Sequence, residues 1–120
     1  EYLMKQLAPL GLAYLHIIEG ATGGPRDIAD RPFDYKAMRD TYRAAGGKGA
    51  WMVNNGYDKV LAERALAGGA DLVAFGKLFI ANPDLVQRLR HDAPLNPPDK
   101  TTFYGGGAHG YTDYPALRAA

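Results

Sequence analysis

Apolar residues along this chain fall into two alternating patterns: short unbroken runs, and segments spaced at helical period. Leu12-Ala13-Tyr14-Leu15-His16-Ile17-Ile18 is an unbroken run bounded by Gly11 and Gly20, and Gly49-Ala50-Trp51-Met52-Val53-Asn54 and Asp71-Leu72-Val73-Ala74-Phe75 repeat the pattern. Short apolar runs closed by turn residues read as buried strands. Between them the spacing changes. After Asp34, a candidate N-cap, Tyr35, Met38 and Tyr42 recur at helical intervals until Gly46 and Gly47 stop the pattern. After Asp58, Val60, Leu61, Ala65 and Leu66 mark one apolar helical face, closed by Gly68 and Gly69. The segment Glu1 to Leu7 is helix-like, and Asn82 followed by Pro83 predicts a capped helix with Leu85, Val86 and Leu89 facing inward. The predicted order is helix, strand, helix, strand, helix, strand, helix.

Connections long enough to hold a helix let the strands run parallel, and right-handed βαβ units follow. Three parallel strands alone leave two sheet edges open and their apolar faces half covered. The expected class is therefore α/β, either as a small open layer or as the end of a larger barrel whose other strands lie elsewhere. The chain opens at Glu1 directly into a helical pattern, which suggests a preceding segment. Beyond Pro94, proline, glycine and aromatic residues predict a long ordered tail with no further strand.

Composition narrows the partners. At 120 residues and 47% hydrophobic content, residues 1–120 form one domain or part of a larger one. A net charge of +1 with scattered Lys and Arg gives no basic stripe, which argues against nucleic-acid and anionic-membrane binding. The absence of cysteine excludes disulfides, thiolate catalysis and Cys-ligated metals within the chain. No apolar run reaches the roughly 18 residues of a membrane span, and no signal segment opens the chain, so a soluble, cytoplasmic protein is expected.

Candidate chemistry lies where strands end. Gly76-Lys77 closes the third apolar run and leads into a helix, and Asn55-Gly56 follows the second. Glycine lets a backbone approach a ligand closely, helix starts offer unpaired N–H groups, and ligands of parallel α/β folds sit at the carboxyl ends of strands. Together these features suggest a phosphate grip. The competing readings are a plain turn at Asn55-Gly56, and a strand end with a solvated surface charge at Gly76-Lys77. His16, between Leu15 and Ile17, reads as a hydrogen-bonded structural residue. Glu19 reads as a solvated or salt-bridged carboxylate. His91 and His109 carry no metal-ligand spacing, and no metal site is expected. The loop from Ala21 to Arg31, with Gly23-Gly24-Pro25 and Arg26, is either a variable surface loop or the border of a substrate pocket.

Several blocks in order resemble the C-terminal portion of the old yellow enzyme family, the FMN-dependent ene-reductases. They are Tyr14-Leu15-His16 with Glu19, Ala74-Phe75-Gly76-Lys77 with Phe79-Ile80-Ala81-Asn82-Pro83-Asp84-Leu85, Pro94-Leu95-Asn96, Thr102-Phe103-Tyr104, and Gly110-Tyr111-Thr112-Asp113-Tyr114-Pro115. The resemblance implies the last three βα units of a (β/α)8 TIM barrel plus an ordered tail, incomplete as a closed barrel. It implies that backbone groups at Asn55 and Gly56, together with Gly76 and Lys77, hold the FMN phosphate, and that Phe103 and Tyr104 lie near the flavin ring. Otherwise these aromatics pin the tail, as Tyr111 and Tyr114 do. The usual Gly-Arg pair is here Gly76-Lys77, and lysine keeps the charge but loses the planar fork that holds two oxygens. The family's catalytic residues fall upstream, so no catalytic residue is expected in this chain. The implied activity is reduction of an enone-type alkene with NADPH or NADH through FMN, completed by a missing upstream segment or another chain. The alternative is a noncatalytic α/β module that binds a phosphorylated ligand or another subunit.

Overall fold

The computed structural model describes residues 1–21, 24–26, 28 and 32–117. The chain divides into two compact units, Glu1–Ala74 and Phe75–Ala120.

In the first unit, helix α1 (Tyr2–Leu7) runs into a 3₁₀ turn (Ala8–Leu10), and then come β1 (Tyr14–Ile18), α2 (Tyr35–Ala44), β2 (Ala50–Asn54), α3 (Lys59–Ala67) and β3 (Leu72–Ala74). The strands form a parallel sheet in the order β1-β2-β3. Both crossover helices start as the pattern predicts: the Asp34 carboxylate accepts from Ala37 N–H, and that of Asp58 from Leu61 N–H, each at 2.8 Å. Alternate residues of the central strand, Trp51 and Val53, are buried with Tyr42, Tyr57, Met4, Ala8, Ala62 and Ala70. Tyr42 packs 6.2 Å from Trp51 between ring centroids, and its hydroxyl accepts from Gly49 N–H. A Cβ on Gly47 would collide with the Tyr42 ring, which explains the glycine that ends the α2 pattern. Arg43 bonds the carbonyls of Gly47 and Gly49 and pairs with Asp71. Asp71 also accepts from Trp51 N–H, so one ion pair fixes the entries to β2 and β3.

The predicted inner face of α3 needs correction. Val60 and Leu66 are 54% and 47% exposed, and Ala62 is the buried residue. The helix carries a wider apolar stripe than three strands can cover.

The second unit contains α4 (Lys77–Ala81), α5 (Leu85–Arg90), a 3₁₀ turn (Lys100–Thr102) and the tail. Asn82 does not cap α5, whose N-cap is Asp84. Fully buried, Asn82 donates through Nδ2 to the Leu78 and Asn96 carbonyls and accepts from Asn96 N–H at 2.7 Å, so it ties the end of α4 to the tail. Leu85 is buried and Leu89 half-buried, but Val86 is exposed and Arg88 takes the inner position at 4% exposure. The Arg88 guanidinium is satisfied by Asp84 and by the carbonyls of Pro94 and Pro115, as a buried charge requires. Asp84 in turn accepts from Leu117 N–H at 2.7 Å, Tyr114 OH from Asp99 N–H, and Tyr111 OH donates to the Phe103 carbonyl. The tail is thus ordered by hydrogen bonds and adds no strand among the described residues, as its composition predicts.

Candidate functional site

The three strands deliver the chain to one row of carboxyl ends. Ile18 is paired with Asn54, and Asn54 with Ala74. The row is tied by Glu19 N–H donating to the Asn54 carbonyl at 3.1 Å and by Asn54 Nδ2 donating to the Ala74 carbonyl at 2.7 Å.

Immediately past β2, Asn55 and Gly56 both adopt left-handed backbone, with φ of 96° and 69°. Glycine and asparagine tolerate this region best. The Asn55 amide is committed to structure, since Nδ2 donates to the carbonyls of Glu19 (2.6 Å) and Ala21 (3.3 Å). What this turn can offer a ligand is therefore backbone. Gly76, the N-cap of α4, differs: its φ is −95° and no heavy atom lies within 4 Å of where a Cβ would stand. Neither conformation nor crowding among the described residues demands glycine there. Lys77 is exposed and forms no ion pair or hydrogen bond among the described residues. Phe103 is half-buried, and its ring meets that of the fully exposed Tyr104 edge-on at 6.4 Å. Asn55 and Gly56 belong to the first unit; Gly76, Lys77, Phe103 and Tyr104 belong to the second.

A cluster beside Gly56 escapes the sequence patterns. Glu19, only 6% exposed, accepts through one oxygen from Tyr57 OH at 2.6 Å and from Arg26 Nε at 3.0 Å. The Arg26 guanidinium carbon lies 4.6 Å over the centre of the Tyr57 ring. Burial, reinforced by the hydrogen bond to Glu19, raises the Tyr57 phenol far above its ordinary range, so it remains a donor. Glu19 is thus the salt-bridged carboxylate of the two sequence readings, and it is buried rather than solvated. The parallel register brings the cluster together: Glu19 follows the end of β1, and Tyr57 lies just past the turn after β2.

His16 departs from expectation. It is exposed on β1 and has no hydrogen-bond partner among the described residues, because the face it occupies is uncovered. His109 pairs with Asp113 at 2.8 Å. No cluster of three or more His, Asp or Glu with metal-holding geometry occurs among the described residues, and no helix there is long and apolar enough to cross a membrane. Gly23 and Arg31, part of the loop flagged in the sequence, lie outside the described residues.

No family model matches the chain. 12-Oxophytodienoate reductase 1 of Oryza sativa subsp. japonica is 42% identical over 124 residues, which cover 98% of this chain and 30% of that protein. Among solved structures, morphinone reductase in complex with tetrahydroNAD superposes with a TM-score of 0.79 at 44% identity, over 98% of this chain and 29% of the other. The old yellow enzyme from Trypanosoma cruzi gives 0.80 at 39% identity, again over 98% and 29%. The chain spans about a third of the length of the curated relatives it matches.

Proposed function

The chain belongs to the old yellow enzyme family, and we propose that it is the part of a flavin oxidoreductase that holds the FMN phosphate. In this reading its three βα units are the last three of a (β/α)8 barrel. Backbone N–H groups at Asn55 and Gly56, and at Gly76 with the Lys77 ammonium, receive the phosphate, while Phe103 and Tyr104 border the flavin ring. Bound FMN would supply the hydride chemistry that links NADPH or NADH to an activated alkene such as an enone. The chain's own residues bind and orient: left-handed backbone at Asn55 and Gly56 presents N–H groups, Lys77 supplies charge, and the aromatics exclude water. The groups that polarise and protonate the substrate belong to the remainder of the enzyme, so this chain alone does not turn over.

Gly76 carries the proposal. Among the described residues neither backbone conformation nor crowding calls for this glycine, and close approach of a phosphate oxygen to its N–H supplies a reason. The adjacent ends of β2 and β3 support the same reading, because phosphate sites of such barrels lie at the loops after the last two strands.

Parallel titrations of the chain with FMN and riboflavin, followed by quenching of flavin fluorescence, test it. FMN should bind about tenfold or more tightly, as expected for charge-assisted bonds to the phosphate. Equal affinity overturns the phosphate assignment. A chain that binds neither flavin but associates with itself supports the noncatalytic interaction module, for which the open sheet edges provide a surface.

A further inference from the structure

Resting on that reading, we propose that Arg26 is a further phosphate-binding residue, presenting a preorganised guanidinium fork beside Gly56. Lys77 stands where the family resemblance leads one to expect arginine, so the grip lacks a planar fork at that point. The structure holds one elsewhere. The atom nearest to a Cβ placed on Gly56 is Arg26 Cβ, at 3.7 Å, so the arginine borders the turn whose N–H groups receive the phosphate in the proposed reading. Its Nε is spent on Glu19 and its plane lies over Tyr57. Both Nη atoms remain without an acceptor among the described residues, and the side chain is 30% exposed.

This is an arrangement suited to an anion. The buried carboxylate fixes one edge of the guanidinium, the ring supports its face, and the free edge offers two parallel N–H donors, the geometry that matches two phosphate oxygens. The backbone holds the arginine as well. Ala21 N–H donates to the Pro25 carbonyl at 3.0 Å, and a side chain on Gly20, whose φ is 72°, would collide with the Arg26 carbonyl. Pro25 and Arg26 are thus held against Gly20 and Ala21, just past the end of β1. A surface arginine would sample many rotamers; here Glu19 and Tyr57 select one before any ligand arrives, which lowers the entropy cost of binding.

The test compares FMN and riboflavin affinities of the 120-residue chain and its Arg26→Gln, Arg26→Lys and Glu19→Gln variants. Removing the guanidinium should weaken FMN about tenfold or more and leave riboflavin unchanged, because only the phosphate is lost as a partner. Lysine keeps charge without the fork, so Arg26→Lys should fall between wild type and Arg26→Gln. Glu19→Gln, which acts through the orientation of Arg26, should also weaken FMN selectively. Riboflavin affinity and thermal melting report the fold, and Arg26→Lys serves where Arg26→Gln melts early. An FMN-to-riboflavin ratio unchanged in both Arg26 variants overturns the role of Arg26 while the phosphate assignment stands. A wild-type chain with no preference for FMN overturns both.

Discussion

Two glycines at the strand tips carry opposite liabilities. Gly56 needs its left-handed backbone, so Gly56→Ala should destabilise the chain by about 1 kcal/mol in urea unfolding. Gly76 has ordinary φ and open surroundings, so Gly76→Ala should leave stability within about 0.5 kcal/mol. FMN affinity of Gly76→Ala should nevertheless fall about tenfold, since the new methyl occupies the space through which a phosphate would approach. A stable Gly76→Ala chain with undiminished FMN affinity would remove the main support for the proposed site. The same reasoning separates the two cations. Lys77 is exposed and has no partner among the described residues, whereas Arg26 is held in place by Glu19 and Tyr57, so charge alone does not rank them as ligands.

Helix starts in the first unit rest on single carboxylates, and Asp34→Ala should cost about 1 kcal/mol through loss of the 2.8 Å bond to Ala37 N–H, measured as a lower urea midpoint. In the second unit a carboxylate joins a helix to the tail. The Leu117 N–H and then the Arg88 guanidinium hold the Asp84 carboxyl below its ordinary range. A depressed folded value stabilises above the unfolded value of about 3.9, and that contribution is lost as pH falls through the folded value. Between neutral pH and about pH 3, the urea midpoint of wild type should therefore drop further than that of Asp84→Asn; parallel declines would show that the Asp84 contacts contribute nothing. These capped and stopped elements were legible because their signals are local: Asp34, Asp58 and the paired glycines act within a turn of where they stand. Burial was less legible. Asn82 before Pro83 reads as a cap, but its buried amide is recruited by Asn96, fourteen positions on. The outward Val60, Leu66 and Val86 follow a pattern wider than the cover their own unit provides. At the site the glycines could be read from sequence, but the Glu19–Arg26–Tyr57 cluster could not, because it depends on which residues the parallel register brings level.

The sheet of the first unit has β1 and β3 as its outer strands, each with one edge unpaired among the described residues. Tyr14 and Ile18 on β1 and Leu72 on β3 are exposed, although parallel strands ordinarily bury both faces. Apolar side chains at such positions make sense if further strands and helices cover them, and the curated relatives are about three times as long as this chain. Complementation tests this directly. The chain mixed with the preceding two-thirds of a homologous reductase, supplied with FMN, should oxidise NADPH in the presence of cyclohexenone, while either part alone should not. Ile18→Lys sharpens the result, because the side chain is exposed and its replacement should change the stability of the isolated chain by no more than about 0.5 kcal/mol. If Ile18 meets the added segment, the same substitution should sharply reduce the activity recovered, since it places a charge in an apolar contact. Equal recovery by Ile18→Lys and wild type would mean that this face of β1 stays open in the assembled enzyme, and turnover by the chain alone would place catalytic groups within these 120 residues.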